Sequence, residues 1–201
     1  MKKFINLIIF LVFTISIYGM DTEVLHGYAY EYNSVLKKLD RTEYDIKYSG
    51  EEETFFLVTS DIFTKNWVYL SQNDIELLRK TIEKYFEWEK IAIDNRVKIE
   101  KIIPNSKIKT GIIWKTGDNW YKSYNILLDF TFFSQTQTLH QLVISSDKVK
   151  SLENQYIENK ISTLYFYKED VIILYNALKA DNIDMIIKEY NKTKNIEELF
   201  K

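Results

Sequence analysis

The longest run of alternating apolar residues in the chain, at positions 120–134, requires a β-strand. Its even-numbered positions carry the apolar side chains of Trp120, Tyr124, Ile126, Leu128, Phe130 and Phe132. Its odd-numbered positions are mixed, with Asn125, Asp129 and Thr131 beside Tyr121, Leu127 and Phe133. Because the side chains of a strand alternate between its two faces, one face is predicted to lie in the core. The other face is predicted to be partly covered or to meet a partner.

The rest of the chain also favours β-structure. Further strands are predicted at 44–48, 54–60, 66–70, 108–114, 139–144 and 161–167, and the second and third of these are expected to form a hairpin. The segment 23–40 fits both a helical stripe and strand alternation, and we predict a helix over 29–40.

The clearest helical pattern follows residue 70. Ile75, Leu78, Ile82 and Tyr85 recur at spacings of 3, 4 and 3, which places them on one face of a helix that runs to about Asn95. Ser71 or Asn73 can cap its amino end. Shorter helices are predicted at 145–156, 168–180, 183–190 and 195–200.

These elements predict an α+β fold in which one or more antiparallel sheets are backed by amphipathic helices. No linker rich in Gly, Ser or Pro divides the chain, so residues 20–201 are predicted to form a single α+β domain. The segments around Leu70 and Phe166 match at an offset of 96 positions. The domain is therefore either a duplicated β-hairpin-plus-helix unit, with halves near 20–105 and 106–201, or a fold whose strand-to-helix junctions share a common pattern.

The first 19 residues have the pattern of a secretory signal peptide. Lys2 and Lys3 precede an apolar run over 4–18, the small residue Gly19 follows, and the chain is polar after Met20. The run is shorter than the ~20 apolar residues that span a bilayer. We expect cleavage after Gly19 and a location in the periplasm or outside the cell. The alternatives are a buried helix or an uncleaved anchor, which is the only membrane contact that we expect.

Composition excludes several classes of function. The chain has 27 Lys+Arg against 29 Asp+Glu, and this net charge of −2 argues against a nucleic-acid partner. The absence of Cys excludes disulfides, thiolate metal sites and Cys nucleophiles. The many Lys, Ile, Asn and Tyr residues are typical of an AT-rich bacterium.

Few side chains are available for catalysis. His26 and His140 are the only histidines, and neither has the spacing of a zinc hydrolase. The glycine patterns of phosphate-binding loops and serine hydrolases are also absent. We therefore predict no metal and no cofactor. An acid–base pair of His140 with Asp129 is less expected than a structural His140, and Glu51-Glu52-Glu53 is interpreted as a solvated turn.

An aromatic cluster is the candidate ligand-binding site. Trp114 and Trp120 bracket a turn predicted at 116–119, and Tyr121 and Tyr124 follow closely. Planar apolar rings with a polar edge suit both sugar rings and protein partners. The alternative is that these rings fill the core of the sheet.

Sequence thus predicts an exported, non-enzymatic binding or assembly protein of the bacterial envelope. Its partner is expected to be a protein, a glycan or a second copy of the chain. The alternative is an envelope glycan hydrolase that uses paired carboxylates, for which we expect a cleft with two such groups roughly 5–10 Å apart beside exposed aromatic rings.

Overall fold

The computed structural model describes residues 22–199, so the predicted signal peptide at 1–19 lies outside the described residues. The elements in chain order are β1 (Thr22–Asn33), β2 (Lys38–Ser49), β3 (Thr54–Ser60), β4 (Thr64–Leu70), α1 (Gln72–Asp94), β5 (Glu100–Ile102), β6 (Ile108–Thr116), β7 (Asn119–Ser134), β8 (His140–Ser146), β9 (Val149–Lys150), β10 (Glu158–Asn159), β11 (Leu164–Phe166), α2 (Lys168–Ala177) and α3 (Ala180–Glu198).

Eight strands close into an antiparallel barrel in the order β7-β6-β4-β3-β2-β1-β11-β8. The closing seam joins β8 back to β7, with Leu128 opposite Ser146 and Ser134 opposite His140 at its two ends. β5 extends the other edge of β7 beyond the end of β6. β9 and β10 form a separate two-stranded ribbon.

The predicted α+β arrangement of sheets backed by helices is wrong, because the strands close on themselves instead of leaving an open sheet. The duplicated β-hairpin-plus-helix unit is wrong with it. β4 forms a hairpin with β3, whereas β11 lies between β1 and β8 in the same barrel. The alternation of apolar and polar residues along a strand shows which side chains share a face. It does not show which other strands pair with its two edges.

Alternation along the strands divides the barrel into an inner and an outer face. The inner face is almost entirely apolar and buried, and it forms one continuous core. Its strand residues include Tyr44, Ile46, Phe55, Leu57, Val68, Ile112, Trp114, Ile126, Leu128, Phe130, Leu142, Ile144, Leu164 and Phe166.

Helix α1 packs against this core from one end of the barrel. Its amino end is fixed by a capping box, in which the Asp74 backbone N–H donates to Ser71 Oγ and the Ser71 backbone N–H donates to the Asp74 carboxylate. Its buried face includes the four apolar residues of the predicted stripe. The Tyr85 hydroxyl donates to the carbonyl oxygen of His140 at 3.1 Å. α1 therefore runs from the end of β4 to the start of β8.

The two carboxyl-terminal helices cover β1 and its neighbours. α2 contacts β1, β8 and β11 through a face that buries Val171 and Leu174, and α3 also contacts β1. The ring of Tyr190 in α3 lies over Gly50, where any side chain would collide with it. Over the described range, α1, α2 and α3 each fall short of the length or apolar content that a bilayer-crossing helix needs.

Two predicted helices are β-structure or turn instead. Residues 29–40 form the tip of the β1–β2 hairpin, because pairing of Tyr30 with Tyr165 places β1 in the barrel wall. Residues 145–156 contain the end of β8, β9 and a turn. The Ser151 hydroxyl accepts the backbone N–H of Glu153 at 3.1 Å, and this local bond competes with helix formation.

Candidate functional site

A β-bulge in β7 decides which aromatic side chains face outwards. Thr110 of β6 lies opposite Ile126, but Ile112 lies opposite Ser123, so β7 has one extra residue between these pairs. Tyr124 and Asn125 are both exposed there. The alternation therefore changes phase at the bulge, as the extra residue turns the preceding side chains to the opposite face.

The barrel wall separates the four predicted ligand-binding residues into two pairs. Trp114 is 1% exposed and its ring lies 5.6 Å from that of Tyr121 on the inner face. Trp120 and Tyr124 are 55% and 62% exposed on the outer face. The structure does not bring the four side chains together, and their role in ligand binding stays a prediction.

The exposed Trp120 has a neighbour that sequence analysis did not connect with it. The rings of Trp120 and Trp67 lie 5.0 Å apart with an angle of 36° between their planes. Lys65 Nζ lies 5.2 Å from the centroid of the Trp67 ring, and Lys115 Nζ lies 5.7 Å from that of Trp120. We call these four residues the tryptophan platform.

Strand registration explains how the tryptophan platform forms. Trp67 lies opposite Ile113, Lys65 lies opposite Lys115, and Lys115 lies opposite Trp120. Trp67 and Trp120 are therefore diagonal neighbours across β4, β6 and β7, although more than fifty residues separate them in sequence. No local pattern could reveal this contact, because it depends on the pairing of β4 with β6.

The ring contacts stabilise the tryptophan platform only modestly. An aromatic pair contributes about 0.5–1.5 kcal/mol, and a cation–π contact at an exposed site contributes about 0.5–1 kcal/mol. A fully buried Trp, such as Trp114, contributes about 3–5 kcal/mol when compared with Ala. The barrel core therefore does not need the exposed ring of Trp120, which is free to contact a ligand.

A second aromatic row borders the tryptophan platform. Phe56 and Tyr69 are cross-strand partners with ring centroids 4.7 Å apart. The Tyr69 ring lies over Gly111, where an added Cβ atom would be 3.1 Å from it and 3.6 Å from the Tyr124 ring. Gly111 thus allows Tyr69 to lie flat against β6 and to extend the outer aromatic surface.

A groove of about 710 Å³ lies next to the tryptophan platform and shares Lys65 with it. His26 and Asp45 lie opposite each other in its wall, with His26 Nδ1 2.7 Å from Asp45 Oδ1. The Arg41 guanidinium stacks 3.5 Å above the centroid of the Tyr28 ring. The remaining lining residues are Thr42, Glu43, Tyr44, Val58 and Ser60.

The groove contains two carboxylates, one of which is paired with a histidine. Glu43 and Asp45 are two residues apart on the outer face of β2, which separates their Cα atoms by roughly 7 Å. Hydrolysis needs both carboxyl groups at the scissile bond, one as the acid and the other as base or nucleophile. Asp45 is instead hydrogen-bonded to His26.

The His26–Asp45 pair also lacks a nucleophile. Of the serine and threonine residues that line the groove, Ser60 lies on the same outer face as the pair, whereas Thr42 belongs to the inner face. Ser60 lies two strands and two residues from His26, roughly 11 Å between Cα atoms. A Ser–His–Asp arrangement needs hydrogen-bond contact between nucleophile and base. The pair is better suited to hydrogen bonding with a ligand.

His140 lies away from both surfaces. It is 2% exposed, its ring stacks on Phe132 with centroids 5.3 Å apart, and its Nδ1 atom lies 2.8 Å from Ser134 Oγ. Asp129, weighed as its carboxylate partner, instead lies 3.0 Å from Lys107. Within residues 22–199, no group of three or more His, Asp or Glu side chains could hold a metal ion.

Comparison of the chain with protein-family models, with curated proteins and with solved structures finds no match in any of the three. Function is therefore inferred from the tryptophan platform and the adjoining groove.

The pKa of His26 is expected to lie above the ordinary histidine value of 6.5, and the pKa of His140 below it. The hydrogen bond to Asp45 is the main cause that raises the pKa of His26, whereas burial is the main cause that lowers the pKa of His140. Lys168 lowers the pKa of His140 further and Glu89 opposes this shift. NMR titration of the imidazole resonances measures both values.

Stability follows from these two shifts by linkage. The contribution of His26 is fully present below pH 6.5 and is lost as the pH rises through its folded-state pKa. The contribution of His140 is present above pH 6.5 and is lost as the pH falls below it. Asp45→Asn should lower the pKa of His26 and leave that of His140 unchanged. An unchanged His26 pKa in this variant would contradict the assigned hydrogen bond.

Proposed function

We propose that this protein is a non-enzymatic glycan-binding protein of the bacterial envelope that holds its ligand on the tryptophan platform. The observation that carries the proposal is the pair of contacting Trp67 and Trp120 rings on the outer barrel wall, with Trp120 more than half exposed. Flat apolar rings of this kind stack on the apolar faces of sugar rings. A rigid β-wall holds them in place before the ligand arrives, which reduces the entropic cost of binding.

The groove supplies the polar groups that a glycan needs. Sugar hydroxyls both donate and accept hydrogen bonds, and the groove offers the Glu43 and Asp45 carboxylates as acceptors and the Ser60 hydroxyl as both. The groove and the tryptophan platform meet at Lys65. A chain of two or more sugar rings could therefore stack on the rings and continue into the groove.

Binding is favoured over hydrolysis by the arrangement of the carboxylates. Asp45 is hydrogen-bonded to His26 at 2.7 Å, whereas hydrolysis needs both carboxyl groups at the glycosidic bond. A binding role requires only that the side chains contact the ligand. The hydrolase alternative would require Asp45 to release His26 when the ligand binds.

Export of the protein is part of the proposal. The charged start and short apolar run at 1–19 support cleavage after Gly19 and release into the periplasm or the medium. Mass spectrometry of the protein recovered from the cell that makes it should find Met20 as the first residue. Recovery of an intact Met1 in the cytosol would contradict both the export and the envelope role.

Replacement of Trp120 tests the proposed binding site. Trp120→Ala removes the exposed ring, so the affinity for the best ligand on an oligosaccharide array should fall at least tenfold, while Trp120→Phe should retain part of it. Tyr156→Ala provides a matched control, because Tyr156 is an exposed aromatic residue outside the site. Isothermal titration calorimetry measures the affinities.

The thermal unfolding midpoint of each variant is measured as well, to check that it folds. Both Trp120 variants should remain folded because the ring lies outside the core. The proposal is contradicted if the folded Trp120→Ala variant binds oligosaccharides as tightly as the unchanged protein. It is also contradicted if no oligosaccharide binds to the unchanged protein.

A further inference from the structure

The tryptophan platform contains two lysines that lie directly opposite each other on neighbouring strands. Lys65 of β4 and Lys115 of β6 are cross-strand partners on the outer face. The Cβ atoms of such partners lie about 4.5–5.5 Å apart, and like charges at this spacing destabilise the sheet. A ligand that carries a negative charge could neutralise this pair.

The surrounding side chains do not neutralise the pair. Within the described part of the chain, neither ammonium group lies within 4.0 Å of a carboxylate. The sheet neighbours on either side are Ser60 and Trp120. The nearby Asp61 is occupied by the backbone N–H groups of Phe63 and Thr64, at 2.8 and 2.7 Å.

Each ammonium group lies over an aromatic ring instead of a carboxylate. Lys65 lies over Trp67 and Lys115 over Trp120, at 5.2 and 5.7 Å from the ring centroids. These contacts hold both charges next to the rings on which a sugar would stack. The geometry brings two positive charges that have no direct ion-pair partner and two stacking rings together in one place.

We infer that the glycan bound here is acidic, with its anionic group between Lys65 and Lys115 while its ring stacks on Trp120. The inference rests on the proposed glycan-binding function and specifies its ligand class. A carboxylate, a sulfate or a phosphate on the sugar has the required charge and acceptor oxygens. Binding of this group would remove the repulsion between the two lysines. The free energy released by this relief would add to the affinity for the acidic glycan.

The test uses an oligosaccharide array on which acidic members have neutral counterparts of the same sugar sequence. Hexagalacturonate and its methyl ester form the carboxylate pair, and sulfated and unsulfated dextran oligomers form the sulfate pair. The inference predicts binding to acidic members at least tenfold tighter than to their neutral counterparts, and the two pairs distinguish carboxylate from sulfate. Affinity should also fall as the NaCl concentration rises, because salt screens exposed charges.

Lysine variants identify the residues responsible. Lys65→Gln and Lys115→Gln should each reduce the affinity for acidic oligosaccharides at least tenfold, and by a much larger factor than the affinity for their neutral counterparts. Lys148→Gln removes the same charge from an exposed lysine that is paired with Glu158, and it should have no effect. Equal binding of acidic and neutral members that still depends on Trp120 would overturn the inference and leave the proposed function standing. The absence of any Trp120-dependent binding would overturn both.

A ligand-free measurement tests the electrostatic basis separately. Added NaCl should raise the thermal midpoint of the unchanged protein more than that of Lys115→Gln, because only the unchanged protein has the lysine repulsion to screen. An equal response of the two proteins would show that the pair is not strained, and this result would overturn the inference.

Discussion

Pairing of β7 along both of its edges is the constraint on which the structure depends. One edge pairs with β6 and then β5, and the other edge pairs with β8 from Leu128 to Ser134. This second pairing joins the last strand of the sheet to the first, so the barrel has no long unpaired edge to seek another chain. It also encloses the apolar inner face, so that these side chains form the buried core that a domain of this length needs.

The bulge at Tyr124 and Asn125 then assigns the aromatic side chains to two different roles. Beyond the bulge, even-numbered residues of β7 point inwards and form part of the core. Before it, Trp120 points outwards while Tyr121 packs on Trp114 inside. One extra residue therefore converts part of a core pattern into an exposed surface, and it places Trp120 beside Trp67. Bulges commonly redirect side chains in this way near functional sites.

Local patterns were sufficient to predict much of the secondary structure. The strand predicted at 120–134 corresponds to β7, and the capped helix after residue 70 corresponds to α1. These predictions are confirmed because alternation and the 3.6-residue period are properties of a single segment. The β1–β2 hairpin was predicted to be a helix around 29–40, since its tyrosines fit both periods and only its barrel partner decides between them.

The barrel and the tryptophan platform could not be predicted in the same way. Closure of the barrel depends on the pairing of β7 with β8 and of β1 with β11, and no residue in these strands specifies its partner by itself. The tryptophan platform depends on two such pairings and on a one-residue bulge. The sequence predicts a strand around Trp67, but the contact of Trp67 with Trp120 requires β4 and β6 to be neighbours. For this reason the aromatic cluster predicted from sequence includes Trp120 and not Trp67.

Hydrogen exchange at the tryptophan indoles tests the central claim most directly. The four indole N–H resonances can be assigned with single Trp→Phe variants, and their exchange followed by NMR in D₂O. The bulged barrel predicts that the Trp114 indole, in the core, exchanges much more slowly than the Trp120 indole, on the outer wall. Equal protection of Trp114 and Trp120 would place both rings on the same side of the wall, and it would contradict the bulge, the tryptophan platform and the binding site built on it.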